Sequence, residues 1–378
     1  MNKVYINKIE KYLPNDPVPN DRMEDYLGLI NGNHSKSKNM ILRSNKIKTR
    51  YYALDENGNP THSNAELTAI AIRKLFDDNI KLSDIELLTA GTSSPDTIQP
   101  SHALMVLGEL GCHPMEAVSP NGTCNAGILA LKYAYMAILS GQYKNAVYAS
   151  SETFSSWMHA RNFKDEVDKR SEIENNPYIA FEKDFLRWML SDGAVAALIQ
   201  DKPNKDEISL RIEWMDIRSY ANELEPCMYA GCVKDKDGKT TGWRNFSSEQ
   251  LGALSVLSLK QDAKLLQEHI LQKGSDFLKD VVEKRNLNLD DIDYFLPHIS
   301  SMFFKDPILN NLAENGVYIP EEKWFINLPK VGNVGAASAS LMVEELMNSG
   351  KLKKNDKILL MVPESARFSY SYVLLTAV

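Results

Sequence analysis

Two parts of this 378-residue chain resemble each other in content and in order. Residues 82–88 and 289–295 each place a short polar turn before an apolar strand, at an offset of 207 positions. The Ser-Gly pairs at 140–141 and 349–350 each close a helical pattern ahead of another apolar strand, at an offset of 209 positions. Two features at nearly one offset indicate that the chain contains the same structural unit twice.

The repeated unit predicts an α/β protein with two duplicated halves, residues 1–200 and residues 201–378. Each half would be built from strand–helix–strand units around a parallel sheet. In such sheets, ligands gather beyond the carboxyl ends of the strands. The alternative is a chance likeness between generic α/β segments.

Composition narrows the classes of function. The chain is 43% hydrophobic and 25% charged, which is typical of globular proteins. Its net charge of −7 disfavours nucleic-acid binding as the main task. No apolar run reaches the length of about 18 residues that a membrane span needs, and we find no secretory signal at the start. We therefore expect a cytoplasmic protein with no membrane span.

The four cysteines are too sparse for a disulfide scaffold. Cys227 and Cys232 lie close together in sequence, but no second pair at zinc-ligand spacing accompanies them. We expect no metal and no cofactor. The cysteines are then interpreted as thiols, of which one is a candidate nucleophile.

Cys124 is the cysteine best placed to react. It follows a turn of small residues at 120–123, and the segment after it reads as a helix that is apolar on nearly all sides. A thiol at the amino end of a buried helix faces unpaired N–H groups and the positive end of the helix dipole, which favour the reactive thiolate. The alternative is that Cys124 is only a small buried apolar residue.

The duplication predicts two partners for Cys124. An offset of 209 positions from Cys124 leads to Asn333, and His298 lies just past the end of a strand at 294–296. A histidine there could act as general acid or base, and an amide could donate to an oxyanion. The alternatives are a structural histidine and a turn asparagine that caps the next helix. That helix is rich in Ala and Ser, so we expect the helix after Cys124 to pack closely against it.

This combination resembles the thiolase-fold condensing enzymes, specifically the ketoacyl-acyl-carrier-protein synthase III group. The resemblance covers essentially the whole chain and follows one order of motifs. These are Tyr12-Leu13-Pro14, residues 43–50, the turn at Cys124, Ser191-Asp192-Gly193-Ala194, Pro297-His298 and Gly332-Asn333.

The resemblance implies a five-layered α-β-α-β-α thiolase fold and a homodimer that uses thioesters of acyl carrier protein or coenzyme A. It implies that Cys124 takes an acyl group and that a carbanion from a second thioester attacks it. His298 and Asn333 would hold the enolate oxygen, and backbone N–H groups near Cys124 and in the final loop would hold the acyl oxygen. Gln99 would lie where a family residue reaches into the partner's pocket.

Two departures from the family pattern suggest a narrower assignment. The glycine-rich final loop is replaced by residues 363–369, which include Ser365 and Arg367, and the strand at 147–151 runs into Glu152. These departures resemble the ketosynthase/cyclase branch that makes dialkylresorcinol or stilbene precursors. That branch joins a β-ketoacyl and an α,β-unsaturated acyl thioester and closes a cyclohexanedione ring. Glu152 would suit a proton transfer, with Gln99, Arg367 and Ser365 as helpers. Alternatively, Glu152 pairs with a cation such as Arg367 or is solvated.

Three other functions remain open at this point. The first is a plain decarboxylating synthase that starts fatty acid or polyketide chains. The second is an acyltransferase that passes the acyl group to an alcohol or sugar. The third is a binding subunit without chemistry, which would not need Cys124, His298 and Asn333 together.

Overall fold

A computed structural model describes residues 2–162 and 185–378 of the chain. Its strands are β1 (Tyr5–Tyr12), β2 (Val18–Pro19), β3 (Thr49–Arg50), β4 (Leu87–Gly91), β5 (Glu116–Val118), β6 (Asn145–Glu152), β7 (Gly193–Gln200), β8 (Leu210–Ser219), β9 (Met228–Tyr229), β10 (Cys232–Lys234), β11 (Thr240–Gly242), β12 (Lys260–Gln261), β13 (Tyr294–Pro297), β14 (Lys357–Glu364) and β15 (Ser369–Ala377).

The α-helices are α1 (Met23–Leu27), α2 (Lys38–Asn45), α3 (Asn64–Arg73), α4 (His102–Leu110), α5 (Asn125–Leu139), α6 (Phe154–Met158), α7 (Ser248–Ala253), α8 (Ala263–Arg285), α9 (Lys305–Glu314), α10 (Leu328–Val331) and α11 (Ser338–Met347). Within the described residues, no helix has the length and apolar character that crossing a membrane requires.

The main sheet repeats one strand pattern on either side of its centre. Its order is β13-β14-β15-β8-β1-β7-β6-β4-β5, and β1 and β8 join the two sides. Read outward from that joint, β1, β7, β6 and β4 correspond to β8, β15, β14 and β13. The 3-10 turn Leu82–Asp84 precedes β4 just as the turn Leu289–Asp291 precedes β13. The similarity in sequence therefore corresponds to a similarity in structure, whereas the division at residues 200 and 201 into two domains stays a prediction.

The sheet is mixed, so the predicted parallel sheet is only partly right. β4 is parallel to β5 and β6, and β13 is parallel to β14. The remaining pairs in the sheet are antiparallel. The connection from β14 to β15 is only residues 365–368, which is long enough for a hairpin but too short for the crossover that a parallel pair needs.

The helices form layers on the sheet. α5 contacts β4, β6 and β7 on one side of the joint and β14 and β15 on the other, so it lies between the two sides. α11 shares this inner layer. α3 and α4 cover the outer face of one side, and α8 and α9 cover the outer face of the other. This arrangement agrees with the predicted five layers.

The start of α5 lies directly against the chain ahead of α11. A Cβ atom added to Gly127 would come within 2.3 Å of the carbonyl oxygen of Ala336 and within 3.1 Å of the Cβ of Ser150. No side chain fits at that distance, so this position requires glycine. The expected close packing between the helices that follow Cys124 and Asn333 is confirmed.

The close approach at Gly127 predicts that Gly127→Ala destabilises the protein. We expect the free energy of unfolding to fall by about 2 kcal/mol, because the new methyl group overfills a packed contact. Gly108→Ala in α4 is the matched control, since nothing lies within 4 Å of its added Cβ. That control should gain about 0.5–1 kcal/mol from helix propensity. Urea denaturation measures both, and equal stability of the two variants would contradict the close approach.

Candidate active site

Cys124, His298 and Asn333 line one cavity, although they come from distant parts of the chain. Cys124 is the N-cap of α5, His298 follows β13, and Asn333 lies between α10 and the 3-10 turn Gly335–Ala337. The cavity has a volume of about 70 Å³, and we call it the narrow cavity. Its walls beyond these three residues are mostly apolar. They come largely from α8, α9 and the residue before α9, through Leu266, Ile270, Leu271, Phe304, Ile308 and Leu312.

His298 is a buried, neutral imidazole. Its backbone N–H donates to the carbonyl oxygen of Met361 at 2.8 Å, which fixes the residue at the end of the parallel pair β13–β14. Burial lowers the pKa of His298 to about 4. No residue in the described part of the chain hydrogen-bonds to its ring nitrogens, so they are available to a ligand. A neutral imidazole in this position can accept a proton near neutral pH.

The two ends of the Asn333 side-chain amide are placed differently. Its side-chain oxygen accepts from the N–H of Gly335 at 3.0 Å and from the hydroxyl of Ser338 at 3.2 Å. These bonds stabilise the turn ahead of α11 and orient the amide. The amide nitrogen donates to no other described residue, so it remains free to donate to an oxygen in the cavity.

The Cys124 thiol does not have the lowered pKa expected from its helix position. Burial raises the pKa of Cys124 above its ordinary value, and the nearby carboxylates of Glu364 and Glu152 raise it further. Cys124 as a residue is only 9% exposed and lies within an apolar cluster. The lowering of the thiol pKa that the helix position favours is therefore not found, because desolvation and two carboxylates raise the pKa. The neutral imidazole of His298 lines the same cavity as this thiol.

Two backbone N–H groups are free beside Cys124. Neither the N–H of Cys124 nor that of Ser365 donates to another residue in the described ranges. Ser365 lies in the loop between β14 and β15 and lines the narrow cavity together with Cys124. Unpaired backbone donors next to a nucleophile can stabilise the negative oxygen of an acyl intermediate.

Glu152 lies behind Asn333 and lines no cavity described here. It is fully buried at the end of β6. Its carboxylate accepts from the N–H and hydroxyl of Ser93, from the N–H of Ala336, and from the hydroxyls of Thr92 and Ser94. The alternatives of pairing with Arg367 and of solvation are therefore wrong. Its proposed part in proton transfer stays a prediction.

Of the other predicted helpers, Ser365 lies at the cavity, whereas Arg367 and Gln99 are exposed. Ser365 lines the narrow cavity, and its hydroxyl accepts from the Gln261 amide at 3.4 Å. Arg367 is exposed, and its Nε donates to the carbonyl oxygen of Leu224 at 3.1 Å. Gln99 is exposed and lines neither the narrow cavity nor the larger cavity described in the next paragraph. The structure thus brings Ser365 to the three central residues but not Arg367 or Gln99.

A second and larger cavity lies on the other side of the Cys124 turn. This wide groove has a volume of about 870 Å³. Thr123 and Ala366 line it, next in sequence to Cys124 and Ser365 in the narrow cavity, and Met228 lines both. Its wall includes the aromatic residues Phe154, Trp157, Tyr229 and Trp243. The Cys124 turn therefore separates a narrow apolar cavity from a wide aromatic groove.

Sequence reasoning missed Glu364. This residue is only 6% exposed and lies near the Cys124 sulfur. The available signal was the loss of glycine in the final loop, which drew attention to Ser365 and Arg367 instead. Alternation along β14 could have identified it, because Val362 and Glu364 face the same side and Val362 is buried.

Comparison with known proteins supports one family. The family model "3-Oxoacyl-[acyl-carrier-protein (ACP)] synthase III C terminal" matches residues 282–365. A β-ketoacyl-[acyl-carrier-protein] synthase III of Clostridium perfringens is 27% identical over 353 residues, which is 92% of each chain. An enzyme of the same name from Ehrlichia ruminantium is 22% identical, with 95% of each chain covered.

Solved structures share the fold along the whole chain. AbyA1, described as a tetronic acid condensing enzyme, has a TM-score of 0.73 at 17% identity, with 99% of both chains covered. A variant of Xanthomonas campestris OleA with bound lauric acid and lauroyl-CoA has a TM-score of 0.73 at 18% identity, with 100% of this chain and 99% of the other covered. The synthase III of Aquifex aeolicus has a TM-score of 0.69 at 20% identity, with 99% of both covered. The α/β thiolase-like fold is confirmed.

The buried carboxyl of Glu152 predicts a pH-dependent stability. Burial raises its pKa to about 7 from an ordinary value of 4.5. The folded protein therefore favours the protonated form, so this contribution to stability is full below pH 4.5 and is lost as the pH rises through 7.

Glu152→Gln removes that loss. Between pH 5 and pH 8 the free energy of unfolding of the wild type should fall by about 2–3 kcal/mol relative to the variant. Urea titrations across this range measure the difference. A constant difference between the two proteins would show that Glu152 is ionised throughout and would contradict the raised pKa.

Proposed function

The chain is related to the β-ketoacyl-ACP synthase III family along almost its full length, and from that premise we propose that it is a ketosynthase. It forms a carbon–carbon bond between two acyl thioesters through an acyl-enzyme on Cys124. One observation carries the proposal: Cys124, His298 and Asn333 line a single cavity. A thiol, a neutral imidazole and a free amide donor supply the three groups that the reaction needs.

The first step is acyl transfer to Cys124. The sulfur attacks the thioester carbonyl, and its proton passes to the neutral imidazole of His298 and then to the departing thiol. The C–S bond to Cys124 forms as the bond to the carrier breaks. The free N–H groups of Cys124 and Ser365 bind the carbonyl oxygen while it carries negative charge.

The second step forms the carbon–carbon bond. A second thioester loses carbon dioxide, or transfers an α-proton to His298, and gives an enolate whose oxygen is bound by the Asn333 amide and by His298. Its α-carbon attacks the acyl carbon, and the sulfur of Cys124 leaves and is protonated, by solvent in the first case and by His298 in the second. Both donors act on an oxygen that is more negative in the transition state than in the substrate, so they lower the barrier.

The two cavities suit acyl thioesters. Apolar side chains of α8 and α9 favour a hydrocarbon chain in the narrow cavity, and the wide groove admits a larger group such as the arm of a carrier. OleA, whose structure shares this fold, has been solved with lauroyl-CoA. We propose thioesters of coenzyme A or acyl carrier protein as donors, a homodimer in which Gln99 faces the partner, and a cytoplasmic location.

Within this reaction class we propose the ring-forming variant, in which a β-ketoacyl and an α,β-unsaturated acyl thioester join and close to a cyclohexanedione, the dialkylresorcinol or stilbene precursor. A β-ketoacyl group has one carbonyl more than a simple acyl group. The hydroxyl of Ser365 and the amide of Gln261 lie in the narrow cavity, where they can bind that oxygen. Glu152 accepts a hydrogen bond from the N–H of Ala336, in the turn that follows Asn333. In this proposal, that contact links Glu152 to the site.

The second candidate is a decarboxylating synthase that starts fatty acid or polyketide chains. The names of the curated relatives favour it, because they are β-ketoacyl-[acyl-carrier-protein] synthase III enzymes. The two candidates share the Cys124 acyl-enzyme and differ in the second substrate. Transfer to an alcohol would share only the first step.

Acylation of Cys124 is the first expected result. Incubation with an acyl-CoA should add one acyl mass to the protein, and peptide mass spectrometry should locate it on Cys124. Cys124→Ala should lose the adduct, while Cys227→Ala, which removes a buried thiol outside both cavities, should keep it. A stable fold without any adduct at Cys124 would overturn the enzyme assignment.

Removal of each oxyanion donor should slow condensation. His298→Ala should lower kcat about 10²–10⁴-fold through loss of proton transfer. Asn333→Asp keeps the oxygen that accepts from Gly335 and Ser338 but removes the N–H donor, so it should lower kcat about 10²–10³-fold. Both variants should retain cooperative unfolding. Full condensation activity in Asn333→Asp would remove Asn333 from the reaction.

Product analysis separates the candidates. A β-ketoacyl and an enoyl thioester supplied together should give a ring product, detected by mass spectrometry, without added malonyl thioester. Glu152→Gln should reduce that product while acylation of Cys124 persists. Release of carbon dioxide from a malonyl thioester, with no ring product from the other pair, would favour the decarboxylating synthase. An ester without a new carbon–carbon bond would favour acyl transfer to an alcohol.

A further inference from the structure

Glu364, at the end of β14, holds a buried carboxylate beside the turn of the nucleophile. One oxygen accepts from the hydroxyl of Thr123 and from the N–H of Ala366 at 2.7 Å, and the other accepts from the hydroxyl of Ser369 at 2.6 Å. In the described part of the chain, no lysine or arginine pairs with it. Burying a carboxylate without a cation costs desolvation free energy. We therefore looked for a role of this side chain in the site.

The same carboxylate reaches both sequence neighbours of Cys124. It binds Thr123 directly. It binds Asn125 through Ser369, because the Ser369 oxygen also accepts from the Asn125 amide at 2.9 Å. The amide oxygen of Asn125 in turn accepts from the hydroxyl of Ser371 at 2.7 Å. Cys124 thus lies between two residues that are tied to the hairpin of β14 and β15.

We propose that Glu364 is a positioning residue that locks the Cys124 turn to the loop carrying Ser365. The lock acts through Thr123 on one side and through Ser369 on the other. It holds the free N–H groups of Cys124 and Ser365 so that both face the narrow cavity. This inference rests on the proposed function, in which those two groups bind the acyl oxygen.

The charge of Glu364 has a second consequence, for the state of the sulfur. The titratable groups near Cys124 are Glu364 from β14, Glu152 from β6 and the neutral His298 after β13. Burial is the largest cause of the raised pKa of the thiol, and the charge of Glu364 is the second largest. The unloaded enzyme therefore keeps Cys124 as a thiol, which reacts slowly with alkylating agents and oxidants.

Alkylation by iodoacetamide tests the charge without any substrate. Glu364→Gln keeps the shape of the side chain and removes the charge. At pH 8, alkylation of the Cys124 peptide should rise about threefold for each unit by which the thiol pKa falls, since the loss of nucleophilicity offsets part of the gain in thiolate. Glu344→Gln is the matched control, because Glu344 is similarly buried but pairs with Lys11. It should leave the alkylation rate unchanged.

Ser369→Ala tests the lock separately from the charge. It breaks the connection to Asn125 and keeps the carboxylate. Release of free coenzyme A during acylation should slow about tenfold, with no rise in alkylation of Cys124. Melting temperatures of Glu364→Gln and Ser369→Ala close to that of the wild type would confirm that both variants are folded.

The alkylation and acylation measurements test separate parts of the inference. If alkylation is the same in Glu364→Gln as in the wild type across pH 6–10, the carboxylate does not act on the sulfur and the inference is overturned. Wild-type acylation in Ser369→Ala overturns the lock. If the wild type forms no acyl adduct although alkylation responds to Glu364→Gln, the proposed function fails while the placement of Glu364 beside Cys124 stands.

Discussion

The contact between the start of α5 and the chain ahead of α11 is the constraint on which the rest of the site depends. Gly127 lets the Ala336 carbonyl approach to a distance that no other residue would allow. The contact lies between the two sides of the sheet, where each side contributes an equivalent helix. Cys124 and Asn333 immediately precede the two contacting segments. The packing of these two segments therefore brings the Cys124 thiol and the Asn333 amide to one cavity.

Among the described residues, the two buried carboxylates of the site are bound by hydrogen-bond donors and not by cations. Glu152 and Glu364 accept from hydroxyl and backbone N–H groups, and His298 is neutral. These bonds are made within the fold, and they leave the Asn333 amide and the N–H groups of Cys124 and Ser365 as the donors that our proposal assigns to the substrate oxygens. Both carboxylates also disfavour a thiolate at Cys124. In the proposed reaction, the sulfur is therefore activated only when a substrate and the His298 base act together.

The duplicated α/β architecture and the meeting of Cys124, His298 and Asn333 at one cavity could be predicted because both follow from the repeat. One offset related Cys124 to Asn333, and a strand end located His298. The mixed sheet could not be predicted in the same way, because strand direction depends on the lengths of connections such as residues 365–368. The thiol pKa was mispredicted because the local helix dipole was visible in the sequence, whereas the burial and Glu364, which is 240 positions away, were not. Arg367 was expected near the site from its position in the loop, but in this tight turn Ser365 lines the narrow cavity whereas Arg367 is exposed.

A crystal structure of the protein after reaction with an acyl-CoA tests the central claim most directly. The account predicts electron density for an acyl group on the Cys124 sulfur, with its carbonyl oxygen within about 3 Å of the N–H groups of Cys124 and Ser365. His298 and the Asn333 amide should border the space in front of the acyl carbon. Density on another cysteine, or an acyl oxygen that none of these donors reaches, would contradict the claim that these residues form one reaction centre.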